Sequence, residues 1–76
     1  MITVIYSYEN SAREEFLFAH RQIKSPRGSN RTNEYKALRE LLWSDNVRRI
    51  RSKFCYNEAD ANFALNFLKK GEHCYS

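Results

Sequence analysis

The chain has 76 residues, 13 Lys plus Arg against 9 Asp plus Glu, a net charge of +4, and only two Gly, one Pro and two Cys. That length holds one domain, and eleven aromatic rings in so short a chain argue for a packed core and against wholesale disorder. The longest apolar run, Phe16-Leu17-Phe18-Ala19, falls far short of the roughly 20 residues that span a bilayer, and the opening Met1-Ile2-Thr3-Val4-Ile5-Tyr6 lacks the pattern of a signal peptide, so membrane-spanning, secreted, repeat and disulfide-dense classes are set aside.

Residues 2–8 are β-branched and aromatic, a strand composition, with Ile2, Val4, Tyr6 and Tyr8 on one face and Thr3, Ile5 and Ser7 on the other. Ser11-Ala12-Arg13-Glu14 fits a capping box, and Ala12, Phe16, Ala19 and Ile23 then follow a helical stripe, which predicts a helix over 12–24. The rival reading makes 16–23 a strand in a hairpin with 2–8, because Phe16, Phe18, His20 and Gln22 also alternate.

Residues 24–31 gather the single Pro, a Gly and several turn formers with Lys24, Arg27 and Arg31, and are expected to form a flexible basic loop. From Thr32 or Asn33 as cap, Tyr35, Leu38, Leu41 and Leu42 make a second helical stripe to about residue 44. Residues 47–56 read best as a strand. Ile50, Phe54 and Tyr56 then share one side with Arg48 and Ser52, while Arg49, Arg51 and Lys53 stand in a row on the other at about 7 Å intervals. Asn57 caps the last helix, which has Glu58 and Asp60 in its first turn and a wide apolar face of Ala61, Phe63, Ala64, Leu65, Phe67 and Leu68. Lys69-Lys70 is placed at its C-terminal end with Gly71 beyond, and 72–76 as a loose tail.

The expected architecture is α+β, in the order β-α-α-β-α, with the helices on one face of a small sheet. Two strands alone are marginal, so a third short strand or dimerisation across a sheet edge is expected, leaving monomer and homodimer both open. A chain this short buries only about 60% of its unfolded surface, so nearly every apolar side chain, Phe54 included, is assigned to the core.

The charge is unevenly spread. Residues 21–53 carry ten basic groups against three acids, while both flanking segments are mildly acidic. Seven of the ten are Arg, which suits bidentate contact with phosphate or carboxylate. The simplest explanation is a solvated face. The functional expectation is a non-enzymatic binding protein of the cytoplasm that holds nucleic-acid phosphates through Arg27, Arg31, Arg39, Arg48, Arg49, Arg51 and Lys53. Trp43, one turn from Arg39, is expected to be partly exposed, in cation–π contact, and part of the same surface. The alternative, from another class, is a phage or mobile-element inhibitor that sets this surface against an acidic host protein or nucleoprotein.

Chemistry is poorly signalled. Cys55 and Cys74 form no CxxC pair, and with His20 and His73 they make a poor zinc set; two unpaired thiols suit a reducing compartment. No cofactor motif occurs. A small ribonuclease toxin would have to use His20, Arg49, Arg51 and one of Tyr6, Tyr8 or Tyr56, which no spacing singles out. The opening strand and capped helix look like the first two elements of a thioredoxin-type fold. The turn Tyr8-Glu9-Asn10-Ser11 lacks that family's cysteine pair, so its activity is not carried over.

Overall fold

The computed structural model describes residues 1–24, 33–43, 47–71 and 74. The chain runs β1 (Ile2–Asn10), β2 (Glu15–Ile23), α1 (Asn33–Leu42), β3 (Val47–Cys55), α2 (Glu58–Phe67) and β4 (Lys69–Lys70). The strands lie in the order β3-β1-β2-β4; β1 is antiparallel to both neighbours and β4 is parallel to β2. The α+β class stands, but the order is β-β-α-β-α-β, not β-α-α-β-α.

The expected helix over 12–24 is strand β2, and the hairpin reading is the one realised. Asn10, not Ser11, organises the connection: its Oδ1 accepts from the N–H groups of Ala12 (3.0 Å) and Glu14 (2.9 Å). The N–H of Arg13 donates to the Asn10 carbonyl at 3.1 Å, and the N–H of Asn10 to the Glu14 carbonyl at 3.0 Å. Arg13, at φ 64°, completes the reversal in the left-handed region. This side-chain competition for local N–H groups is what makes Asn a turn former as well as a cap. A bulge supplied the helical disguise. The register passes from Tyr6↔Ala19 to Ser7↔Leu17, so Phe18 is the extra residue. Phe18 and Ala19 both join the core on one face while Leu17 joins the other, which places Phe16, Ala19 and Ile23 at helix-like intervals on a strand.

The helices cover opposite faces of the sheet, contrary to the one-face expectation. Leu38 of α1 packs with Val4, Tyr6, Tyr8, Phe18 and Ala19, joined by Phe16, Ile23, Tyr35, Leu41, Val47 and Ile50. Ala61 and Ala64 of α2 pack with Ile5, Leu17 and Cys55. Alternate residues of β1 thus feed two separate cores, and Val4 through Tyr8 are all buried.

The C-terminal segment departs too. α2 stops at Phe67, Leu68 is extended (φ −86°, ψ 140°), and Lys69–Lys70 pairs with Phe16–Leu17 as β4 instead of finishing the helix. Leu68 packs on the α2-side core, and the pairing satisfies backbone groups of β2 that would otherwise lie on an open edge. Lys69 Nζ meets Glu14 Oε2 at 2.9 Å and ties β4 to the hairpin loop. Gly71 follows where a Cβ would collide with the Tyr8 hydroxyl and press within 3.3 Å of Phe16 Cδ1; these two rings stack at 5.4 Å and 26°. The third strand, expected as one alternative to dimerisation, is therefore supplied twice, by β2 and β4. Residues 25–32, 44–46, 72–73 and 75–76 lie outside the described residues, and with them most of the expected basic loop and loose tail. Among the described residues no helix is long and apolar enough to cross a membrane.

Candidate nucleic-acid interface

β3 is an edge strand of the sheet, and its register on β1 fixes where its cations point. Arg49, Arg51 and Lys53 stand opposite Glu9, Ser7 and Ile5, on the face that α2 covers; Ile50, Ser52 and Phe54 oppose Tyr8, Tyr6 and Val4 on the α1 face. The row expected from the sequence is thus formed, and all three cations are exposed. None of them makes an ion pair with a described residue. Arg48 differs, its Nε lying 4.0 Å from Glu9 Oε2.

The helix beside this row is held close by small residues. Asn57 caps α2, its Oδ1 accepting from the Asp60 N–H at 2.7 Å while its Nδ2 donates to the Asp60 carboxylate at 2.9 Å. Ala61, Ala64, Leu65 and Leu68, at i, i+3, i+4 and i+7, lie on the sheet. Phe63 and Phe67 fall outside that stripe, one turn apart on the flank facing β3, and are 72% and 73% exposed. Between them and the β3 row runs a groove of about 280 Å³, with Arg51 and Lys53 on one wall, Phe63 and Phe67 on the other, and Ile5, Ser7 and Ala64 at its floor. One acid reaches this groove, Glu15, and it is occupied by the Ser7 hydroxyl, which donates to Glu15 Oε1 at 2.9 Å.

A second groove of about 610 Å³ lies on the opposite flank of α2, where Thr3, His20 and Gln22 of the sheet meet Asn57, Glu58 and Asn62. α2 therefore separates His20 from Arg51, and Tyr6 and Tyr8 are buried on the far face of the sheet. Of the residues named for a ribonuclease, His20 and Arg51 thus line different grooves, and Tyr56 is exposed.

The expected binding residues divide. Arg49, Arg51 and Lys53 form one surface with Arg48 at its end. Arg39 of α1 and Trp43 just after it lie on the other side, and Arg27 and Arg31 lie outside the described residues. Arg39 lies over the ring of Tyr35, 5.7 Å from its centroid, where contact with Trp43 was expected. Trp43 is 88% exposed beyond the end of α1, its backbone N–H donating to the Glu40 carbonyl at 3.1 Å. Phe54 and Tyr56 are also exposed, so the core does not use every aromatic. The residues that the sequence reading missed are Phe63 and Phe67. Their signal was an apolar face on α2 wider than one stripe, since Ala61, Ala64, Leu65 and Leu68 already complete a core face without them.

Electrostatic tuning is seen at the hairpin end. Hydrogen bonds from Lys69 and then Asn10, with the Lys69 charge adding to them, hold the Glu14 carboxyl below the ordinary glutamate range. Comparison with known proteins gives no further guide: no family model, curated protein or solved structure matches the chain.

Proposed function

We propose that the protein is a non-enzymatic nucleic-acid-binding protein that engages the phosphate backbone along Arg49, Arg51 and Lys53. The observation that carries this reading is the row itself: three cations at two-residue intervals on one face of an edge strand, without acidic partners among the described residues. Neighbouring like charges about 7 Å apart repel by about 0.6 kcal/mol in water before salt screening. The row therefore costs the fold a little, and a polyanion relieves that cost while releasing its own counterions. Charge on an edge strand also discourages pairing with a second copy, because antiparallel self-association of β3 sets Arg against Arg.

The test is fluorescence anisotropy with a labelled 12-nucleotide strand, titrated at low and at physiological salt. Three phosphate contacts predict a slope of log K against log salt of about −2. The triple variant R49Q/R51Q/K53Q is expected to abolish most of that slope. Absence of binding at low salt overturns the reading and directs the search to an acidic protein partner. Binding that the triple variant leaves unchanged overturns the assignment to β3.

A further inference from the structure

From the groove between β3 and α2 we infer that the nucleic acid this protein takes is single-stranded, its bases stacking on Phe63 and Phe67 while its phosphates follow Arg49, Arg51 and Lys53. The inference rests on the phosphate-binding reading and adds a ligand class to it. Three observations support it.

The first is the exposure of the two rings. A chain that buries Tyr6, Tyr8, Phe18 and Leu38 almost completely still leaves two phenylalanines, one helical turn apart, nearly three-quarters in water. They form a patch facing a charged wall, which is the surface feature that marks an interaction site more reliably than scattered apolar residues do. The second is their setting. Single strands are held by aromatic platforms beside a cationic track, since every base offers a π face whatever the sequence; here platform and track are opposite walls of one groove. Glu15 on the inner side, already engaged by Ser7, keeps phosphates at the Arg51 and Lys53 rim and leaves the apolar wall to the bases. The third bears on duplex. α2 carries no cation from Glu58 to Phe67 and two acids in its first turn, so it is ill suited to lie in a groove walled by phosphates. A base unpaired from its complement, by contrast, can reach the Phe63–Phe67 wall from one side.

The experiment compares three labelled probes of equal length and charge density per strand: oligothymidine, the same backbone without bases, and a fully paired hairpin. Wild type is expected to bind oligothymidine at least tenfold more tightly than the abasic strand and more tightly than the hairpin. F63A/F67A is expected to lose that tenfold or more while its affinity for the abasic strand and its salt slope stay unchanged. F63Y/F67Y, which keeps the ring faces, is expected to restore binding. Thermal unfolding of each variant confirms that both rings are dispensable to the fold, as their exposure requires. If oligothymidine and abasic strand bind equally, or F63A/F67A binds oligothymidine as wild type does, the stacking role is overturned while phosphate binding stands. If no probe binds at low salt, both readings fall together. Preference for the hairpin overturns the single-strand assignment alone.

Discussion

The two faces of the sheet are built from the same strands and finished differently. On the α1 face, large side chains from three strands converge on Leu38, and rings such as Tyr8 and Phe16 stack with each other. On the α2 face the helix meets the sheet through alanines, and its larger residues, Phe63 and Phe67, point away from the core toward a cationic strand edge. Close approach through small residues makes α2 narrow at its base, and a narrow helix on a four-stranded sheet leaves a groove on each flank. The α1 face is therefore the one filled by large side chains, and the α2 face is the one where exposed aromatic and cationic side chains line a single groove.

Stability measurements can break this contrast. Phe18→Ala, on the filled face, is expected to cost about 3–5 kcal/mol, enough to unfold most of so small a domain, whereas Phe63→Ala stays within about 0.5 kcal/mol; urea melts of both check the pair. Similar losses in the two variants would mean that α2 depends on its phenylalanines and that the groove is part of the core. Gly71→Ala inserts a methyl group against Tyr8 and Phe16 and is expected to cost about 1–3 kcal/mol, read as a lower thermal midpoint with unchanged binding. Asn57→Ala removes the cap of α2 and costs about 1 kcal/mol. Because the cap satisfies N–H groups of α2 alone, amide exchange is expected to quicken in α2 and not in α1.

The smallest effect concerns pH. The Glu14 carboxyl titrates below its ordinary range in the folded chain, chiefly through its hydrogen bond with Lys69. Its contribution is thus present above the unfolded pKa and is lost as pH falls through the depressed folded value. Wild type and Glu14→Gln are expected to differ slightly at neutral pH and to converge in acid. A gap that persists in acid, once the folded carboxyl is protonated, would show that Glu14 acts through geometry alone.

Much of this was legible in the chain, and the misreadings have identifiable causes. The strand composition of 2–8, the Tyr35/Leu38/Leu41 stripe and the Asn57 cap each carried one strong local signal, and the alternation of 47–55 placed the Arg49, Arg51, Lys53 row on one side of a strand. The segment 15–23 carried two signals. A bulge at Phe18 breaks strand alternation, and Asn10 captures the Glu14 N–H that Ser11 was expected to hold in a capping box. The pairing of Lys69–Lys70 with Phe16–Leu17 is a contact across more than fifty residues, which no local pattern encodes. Phe63 and Phe67 were hidden by the assumption that a short chain must bury its aromatics. The helix needed only alanine and leucine to pack, and that economy freed two rings for the surface.

The most direct test of the central claim, that the α2 face binds and the α1 face holds the fold, is a backbone amide chemical-shift titration with oligothymidine. The account predicts shifts concentrated at Arg49, Arg51, Lys53, Phe63 and Phe67, with Tyr35, Leu38 and Leu41 unmoved. Shifts centred on α1, or around Trp43 at its end, would contradict it.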